Sequence, residues 1–185
     1  MSPPALPFQV GQGAAVPALH RQLEALPADL GILLERLRAR LHGFGAVVVA
    51  YSGGVDSALV AAVAAEQLGD AALAVTGVSP ALAPHLLQEA RQQAAWMGIR
   101  HQEVATAELQ DPAYFRNPAN RCYACKKELH GVLADRIAAG SGLQVVDGVN
   151  LDDLGDYRPG IEAAREHGVI SPLAELGIDK AAVRQ

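Results

Sequence analysis

At 185 residues the chain is long enough for one domain with a substantial core and a short appendage. Half of the residues are apolar, which excludes a disordered chain, and the net charge of −5 gives no global attraction to nucleic acid or to an anionic membrane. Aromatics make up only 4 %, and Ala, Val and Leu dominate, which suits helices packed on a parallel sheet better than a β-sandwich.

Residues 1–16 carry prolines and glycines with little periodicity and are expected to be a disordered lead, leaving 17–185 as one domain. From Pro17 to about Leu41, Leu30, Leu33, Leu34, Leu37 and Leu41 recur at helical spacing, with a break expected at Pro27. A Val-rich strand follows over Ala46–Ala50, then a glycine turn, then a helix from about Asp56 to Leu68 ended by Gly69. Residues 72–79 read as a second strand and Pro84–Met97 as a helix stopped by Gly98. Residues 100–106 alternate weakly as a third strand, and 107–121 form a long irregular connection with two prolines and two asparagines.

A helix over about Tyr123–Ala139 leads to a fourth strand at 143–149. The chain finishes with a helix over Pro159–His167, a short strand at "GVIS" and a helix start at "DKAAVR". Strand and helix alternating at these lengths predict an α/β fold, an open parallel sheet covered by helices on both faces. No stretch approaches the roughly 18 consecutive apolar residues that a membrane helix needs. The N-terminus also lacks a basic region followed by an apolar core, so a cytoplasmic chain without membrane or nucleic-acid partners is expected.

The stretch "YSGGVDSALV" places Ser52, Gly53, Gly54, Val55, Asp56 and Ser57 between a strand and a helix. Such a loop gathers backbone N–H groups at the positive end of the helix dipole, and glycines let phosphate oxygens approach without a Cβ in the way. Neither a Walker A loop nor a dinucleotide fingerprint is present. The plainer alternative is a tight turn in which Asp56 and Ser57 only cap the helix.

"SGGVDS" resembles the pyrophosphate loop of the N-type ATP pyrophosphatases, or PP-loop enzymes, which cleave ATP between its α and β phosphates and adenylate a substrate oxygen. This resemblance implies an adenine nucleotide alpha hydrolase-like fold. It also places phosphates on Ser52, Gly53, Gly54, Val55, Asp56 and Ser57, and Mg²⁺ at the Asp56 carboxylate. The adenine is expected against backbone groups around Val75–Val78, with Ser79 nearby.

Two further stretches, "NRCYACKKELH" (120–130) and "DGVNLDDLGDYRPGIEAAREHGVISPL" (147–173), look like the LarE family of ATP-dependent sulfur transferases over about residues 30–185. That family makes the thiolated pyridinium nucleotide of the nickel-pincer cofactor. The resemblance implies nucleotide binding at Asp147 and Gly148, and catalytic roles for Asp56, Asp156 and Arg158 toward a pyridinium mononucleotide. Asp152, Asp153 and Asp156 cluster in the same loop, and Arg158 offers a planar fork for a phosphate or carboxylate. It further implies a homo-oligomer.

Cys122 and Cys125 stand beside Arg121, Lys126 and Lys127 at a helix start, surroundings that favour thiolate. Within the family this spacing implies ligation of a [4Fe-4S] cluster, with a third cysteine in a downstream segment beyond the last residue here, Gln185. His130 is the one nearby third ligand, although a histidine on a helix is more often packed or solvated. The alternatives left open are a reduced cysteine pair without a role, another amidating or thiolating PP-loop enzyme of the NAD synthetase or tRNA thiolase kind, and a non-catalytic ATP-binding module.

Overall fold

The structure, a computed structural model, describes residues 25–80, 82–106, 129–131, 133, 143–155 and 164–185. Cys122, Cys125, Asp156, Arg158, the lead at 1–16 and most of the helix expected over Tyr123–Ala139 lie outside them.

Helix α1 (Ala28–His42) begins directly after Pro27, whose extended backbone (ψ 145°) ends the preceding segment. Its Leu37 and Leu41 are fully buried, four residues apart on one face. Strand β1 (Val47–Ala50) passes through the turn at 51–54 into α2 (Val55–Leu68), which buries Ser57, Val60, Ala61, Val63 and Ala64 along one stripe. Strand β2 (Ala72–Val78) is followed by α3 (Pro84–Met97), stopped by Gly98 in the left-handed conformation (φ 72°). Strands β3 (Arg100–Ala105) and β4 (Gln144–Val146) and the short helices α4 (Pro172–Glu175) and α5 (Lys180–Arg184) complete the labelled elements.

All four strands run parallel in the order β3-β2-β1-β4. The "GVIS" segment adds a single parallel bridge, Ile170 against Val146, beyond β4. Successive side chains of β1 point to opposite faces and meet different cores. Val47 and Val49 join Leu37, Leu41, Val60, Ala90, Ala94 and Leu173 on one side. On the other side Val48 packs with Leu73, Val75, Leu133, Val145 and Ala164. Both faces of the central strands are therefore covered, which is why they read as continuous apolar runs.

β4 is shorter than the expected 143–149. After Val146 the Asp147 N–H still donates to Ile170 O (3.0 Å), but the next turn is closed by a side chain, Val149 N–H donating to Asp147 Oδ1 (3.1 Å). An aspartate accepting from the backbone two residues ahead takes the chain off the ladder. Leu151 N–H then donates to Ile178 O (2.9 Å) and Ala174 N–H to Val149 O (3.2 Å), so the segment after β4 is fastened to the C-terminal helices.

Candidate nucleotide site at the sheet switch point

The chain runs outward from β1 through β2 to β3 on one side, while β4 pairs on the other side of β1. The carboxyl ends of β1 and β4 therefore border the point where the winding direction reverses, the place where open α/β sheets take up ligands. The turn at 52–57 leaves β1 there, and Asp147-Gly148 leave β4. The two are in van der Waals contact: a Cβ built on Gly148 would stand 2.5 Å from Ser57 N, 2.8 Å from Ser57 Cα and 2.9 Å from Asp56 C. Glycine at 148 is thus what lets the β4 loop lie on the first turn of α2.

The turn itself is held by its own hydroxyls. Ser57, 5 % exposed, donates through Oγ to Gly54 O (2.9 Å), and the same oxygen accepts from Ser52 N–H (3.3 Å) and lies 3.1 Å from Ser52 Oγ. Gly54 N–H donates to Ser52 Oγ (3.3 Å). Gly53 sits at φ 79°, and a Cβ there would lie 3.1 Å from the Ala90 Cβ of α3. Both glycines of the pair thus have a structural reason: Gly53 takes the left-handed backbone, and Gly54 is the N-cap residue.

No side chain caps α2. The first intrahelical bond runs from Ala58 N–H to Gly54 O (2.9 Å), so the N–H groups of Val55, Asp56 and Ser57 precede the helical ladder. The capping alternative is therefore not what this turn does. Ser57 turns back to Gly54 O, and the Asp56 carboxylate reaches away from the helix, accepting from Asn150 Nδ2 at Oδ1 (3.3 Å) and pairing with Lys180 Nζ at Oδ2. A turn that points bare backbone N–H groups outward is suited to an anion.

Asn150 and Lys180 escaped the sequence reading. Asn150 is 1 % exposed and organises the β4 loop: its Oδ1 accepts from Asp152 N–H (3.0 Å) and Asp153 N–H (3.2 Å), while its own N–H donates to Asp153 Oδ2 (3.1 Å). Lys180 begins α5 and donates its backbone N–H to Asp152 Oδ2 (3.0 Å). Asp152, although exposed, and Asp153 are thus hydrogen-bonded into the loop. Neither residue has a sequence signal; only the fold brings positions 150 and 180 to position 56.

Val78 lies at the end of β2, where its carbonyl accepts from Thr106 N–H (3.0 Å), and Val75 O accepts from Tyr51 N–H (2.9 Å). Beside them Thr76 Oγ1 donates to Tyr51 O (2.8 Å), so its lone pair is left to accept from His101 Nε2–H (2.8 Å). The buried Tyr51 ring meets the His101 imidazole edge-on at 5.7 Å. Burial lowers the His101 pKa; Glu103 partly offsets this and Arg91 adds to it. Burial alone raises that of Tyr51, whose hydroxyl reaches Gln93 Oε1 (3.0 Å) and Ala90 O (3.3 Å).

Among the described residues no group of three or more His, Cys, Asp and Glu side chains could hold a metal ion. Mg²⁺ bound with a nucleotide needs only one or two carboxylates besides phosphate oxygens and water. Asp56, placed beside the bare helix N-terminus, fits that requirement.

The asparagine synthase family model matches residues 31–120, which hold β1, the turn, α2, β2, α3 and β3. An enzyme of Lactiplantibacillus plantarum, pyridinium-3,5-bisthiocarboxylic acid mononucleotide synthase, is 34% identical over 158 residues, covering 85% of this chain and 57% of that protein. The chain has the fold of the PP-loop enzymes. An uncharacterized protein of Synechocystis is 54% identical over 152 residues, 82% of this PP-loop chain and 57% of its own length. The chain thus spans rather more than half of these two relatives. In fold the PP-loop domain is similar to a glutamine-dependent NAD+ synthetase of Acinetobacter baumannii (TM-score 0.61, 20% identity, 87% of this chain and 33% of that one). The resemblance to LarE enzymes seen in the sequence is matched by the Lactiplantibacillus relative. Among the described residues no helix is long and apolar enough to cross a membrane.

Proposed function

We propose that this PP-loop domain binds ATP and Mg²⁺ and adenylates a carboxylate of a pyridinium mononucleotide, as the nucleotide-activating portion of a LarE-type sulfur transferase. One observation carries the reading most: a side-chain-free helix N-terminus at the sheet switch point, flanked by one carboxylate, in a chain related to a pyridinium mononucleotide synthase. The backbone N–H groups of Val55, Asp56 and Ser57 and the hydroxyl of Ser52 grip the phosphate tail. They are held in place before the reaction, so they stabilise charge on the departing pyrophosphate without reorganising. Mg²⁺, held by Asp56, would supply further neutralisation of that charge.

In the adenylation a substrate carboxylate oxygen bonds to the α-phosphorus as the bond from that phosphorus to the bridging oxygen breaks, and pyrophosphate leaves with the electron pair. A sulfur nucleophile then displaces AMP from the acyl group. Asp147 and Gly148 border the nucleotide, with Ser79 and Val78 toward the base. Asp156 and Arg158 are assigned to the substrate, and Cys122 and Cys125 to ligation of an iron–sulfur cluster, outside the steps derived above.

The test is to incubate the protein with ATP, Mg²⁺ and a pyridinium dicarboxylate mononucleotide and to measure AMP and pyrophosphate. Pyrophosphate should appear with an equal amount of AMP, free or still joined to the substrate acyl group, and Asp56→Asn should reduce the rate of pyrophosphate release at least tenfold. Tight ATP binding without cleavage between the α and β phosphates would instead make the domain a nucleotide-binding module.

A further inference from the structure

Both oxygens of the Asp56 carboxylate already have partners: Oδ1 accepts from Asn150 Nδ2 at 3.3 Å, and Oδ2 is ion-paired with Lys180 Nζ. The pair is partly withdrawn from water, the Asp56 side chain being 19% and the Lys180 side chain 33% exposed. An ammonium therefore sits on the carboxylate that a metal would need. Arg38, Arg40 and Arg91 hold Glu66, Glu175 and Glu103 elsewhere on the molecule. Among the described residues Lys180 is the cation paired with the turn.

Its base is fixed by the backbone, and its tip is held by the Asp56 carboxylate. The Lys180 backbone N–H is bound to Asp152 Oδ2, and Asp179 Oδ1 accepts from Ala182 N–H (2.8 Å) to close the turn that carries it. Val183, 8 % exposed, anchors the same short helix in the core. Beyond that anchor a flexible four-carbon stem ends in a compact charge with three rotatable donors.

We propose that Lys180 is an internal counter-ion which closes the metal position at Asp56 until a nucleotide arrives. A divalent cation alone would have to expel the ammonium from a partly buried carboxylate. A cation carried in on a triphosphate brings phosphate oxygens with it. Lys180 then swings from Asp56 to the phosphate tail as the metal takes its place, so metal and nucleotide load together rather than separately. This rests on the nucleotide-binding reading above and adds an order of events to it.

The experiment measures Mn²⁺ binding by electron paramagnetic resonance, first without nucleotide and then with the non-hydrolysable analogue adenylyl imidodiphosphate. Wild type should bind Mn²⁺ alone weakly and the Mn²⁺–analogue pair well. Lys180→Met should bind Mn²⁺ alone at least tenfold more tightly, a gain that adding Asp56→Asn abolishes, and the Mn²⁺–analogue pair at least tenfold more weakly. Lys180→Gln, which keeps a polar tip, should behave as Lys180→Met does. Opposite movement of the two affinities is a signature that loss of a merely structural contact does not produce. Affinities that fall together, or Mn²⁺ binding that does not change, overturn the counter-ion role. If wild type itself binds no analogue, the nucleotide site is refuted and this inference with it.

Discussion

Single atoms decide whether the turn at 52–57 keeps its shape. Gly148 is the tightest case, because the atoms a Cβ would meet at 2.5–2.9 Å belong to the backbone of α2 and cannot rotate away. Gly148→Ala is expected to destabilise the fold by about 1–3 kcal/mol, the usual cost of overpacking, and to push the start of α2 off its position. A lowered urea midpoint together with weaker nucleotide binding would verify this; an unchanged midpoint would contradict it. His101 supplies a pH dependence. Because burial lowers its folded pKa, the unfolded chain takes up a proton near its ordinary value of about 6.5 that the folded chain still refuses. Stability present above that pH is therefore lost as pH falls through it toward the lower folded value. His101→Gln keeps a donor for Thr76 Oγ1 and should flatten the fall in urea midpoint between about pH 7.5 and 5.5.

Elements are fixed by their buried faces more than by their caps. α1 and α2 lack side-chain caps, yet both are held by apolar stripes, α1 against α2 and α2 against β1 and β2. Leu41, with no exposed surface, is the clearest test: Leu41→Ala should cost about 2–5 kcal/mol, read as a shift in the urea midpoint with little change in slope. The strands and helices around the turn were legible because their patterns are local. Val-rich β1, Gly98 after α3 and Pro27 before α1 all act within a few residues. The end of β4 was not legible. Val149 adds a further apolar residue, but Asp147 captures its N–H and the strand stops three residues early.

For the molecule as a whole, the strand order sets the site at the reversal between β1 and β4, and the C-terminal helices complete it by carrying Lys180 to Asp56. A ligand that binds only this folded arrangement stabilises all of it. Adenylyl imidodiphosphate with Mg²⁺ at a hundred times its Kd should add about 2.7 kcal/mol, or roughly 5–10 °C in Tm for a chain of this size. Asp56→Asn should remove most of that shift; an equal shift in the variant would place the nucleotide elsewhere.

The amino-acid order by itself determined the alternation of strand and helix, the parallel sheet and the glycine turn, because apolar periodicity, glycine and proline act through near neighbours in the chain. Two glycines followed by Val55-Asp56-Ser57 at a strand-to-helix junction were enough to predict a turn with bare backbone N–H groups there. Only the tertiary structure decided that Gly148 rests on Ser57, that Asn150 and Lys180 share the Asp56 carboxylate, and that Asp152 and Asp153 are tied into the loop. Those contacts join residues about thirty to a hundred and twenty positions apart or depend on a loop folded by them, and no local pattern encodes which carboxylate a distant lysine will meet.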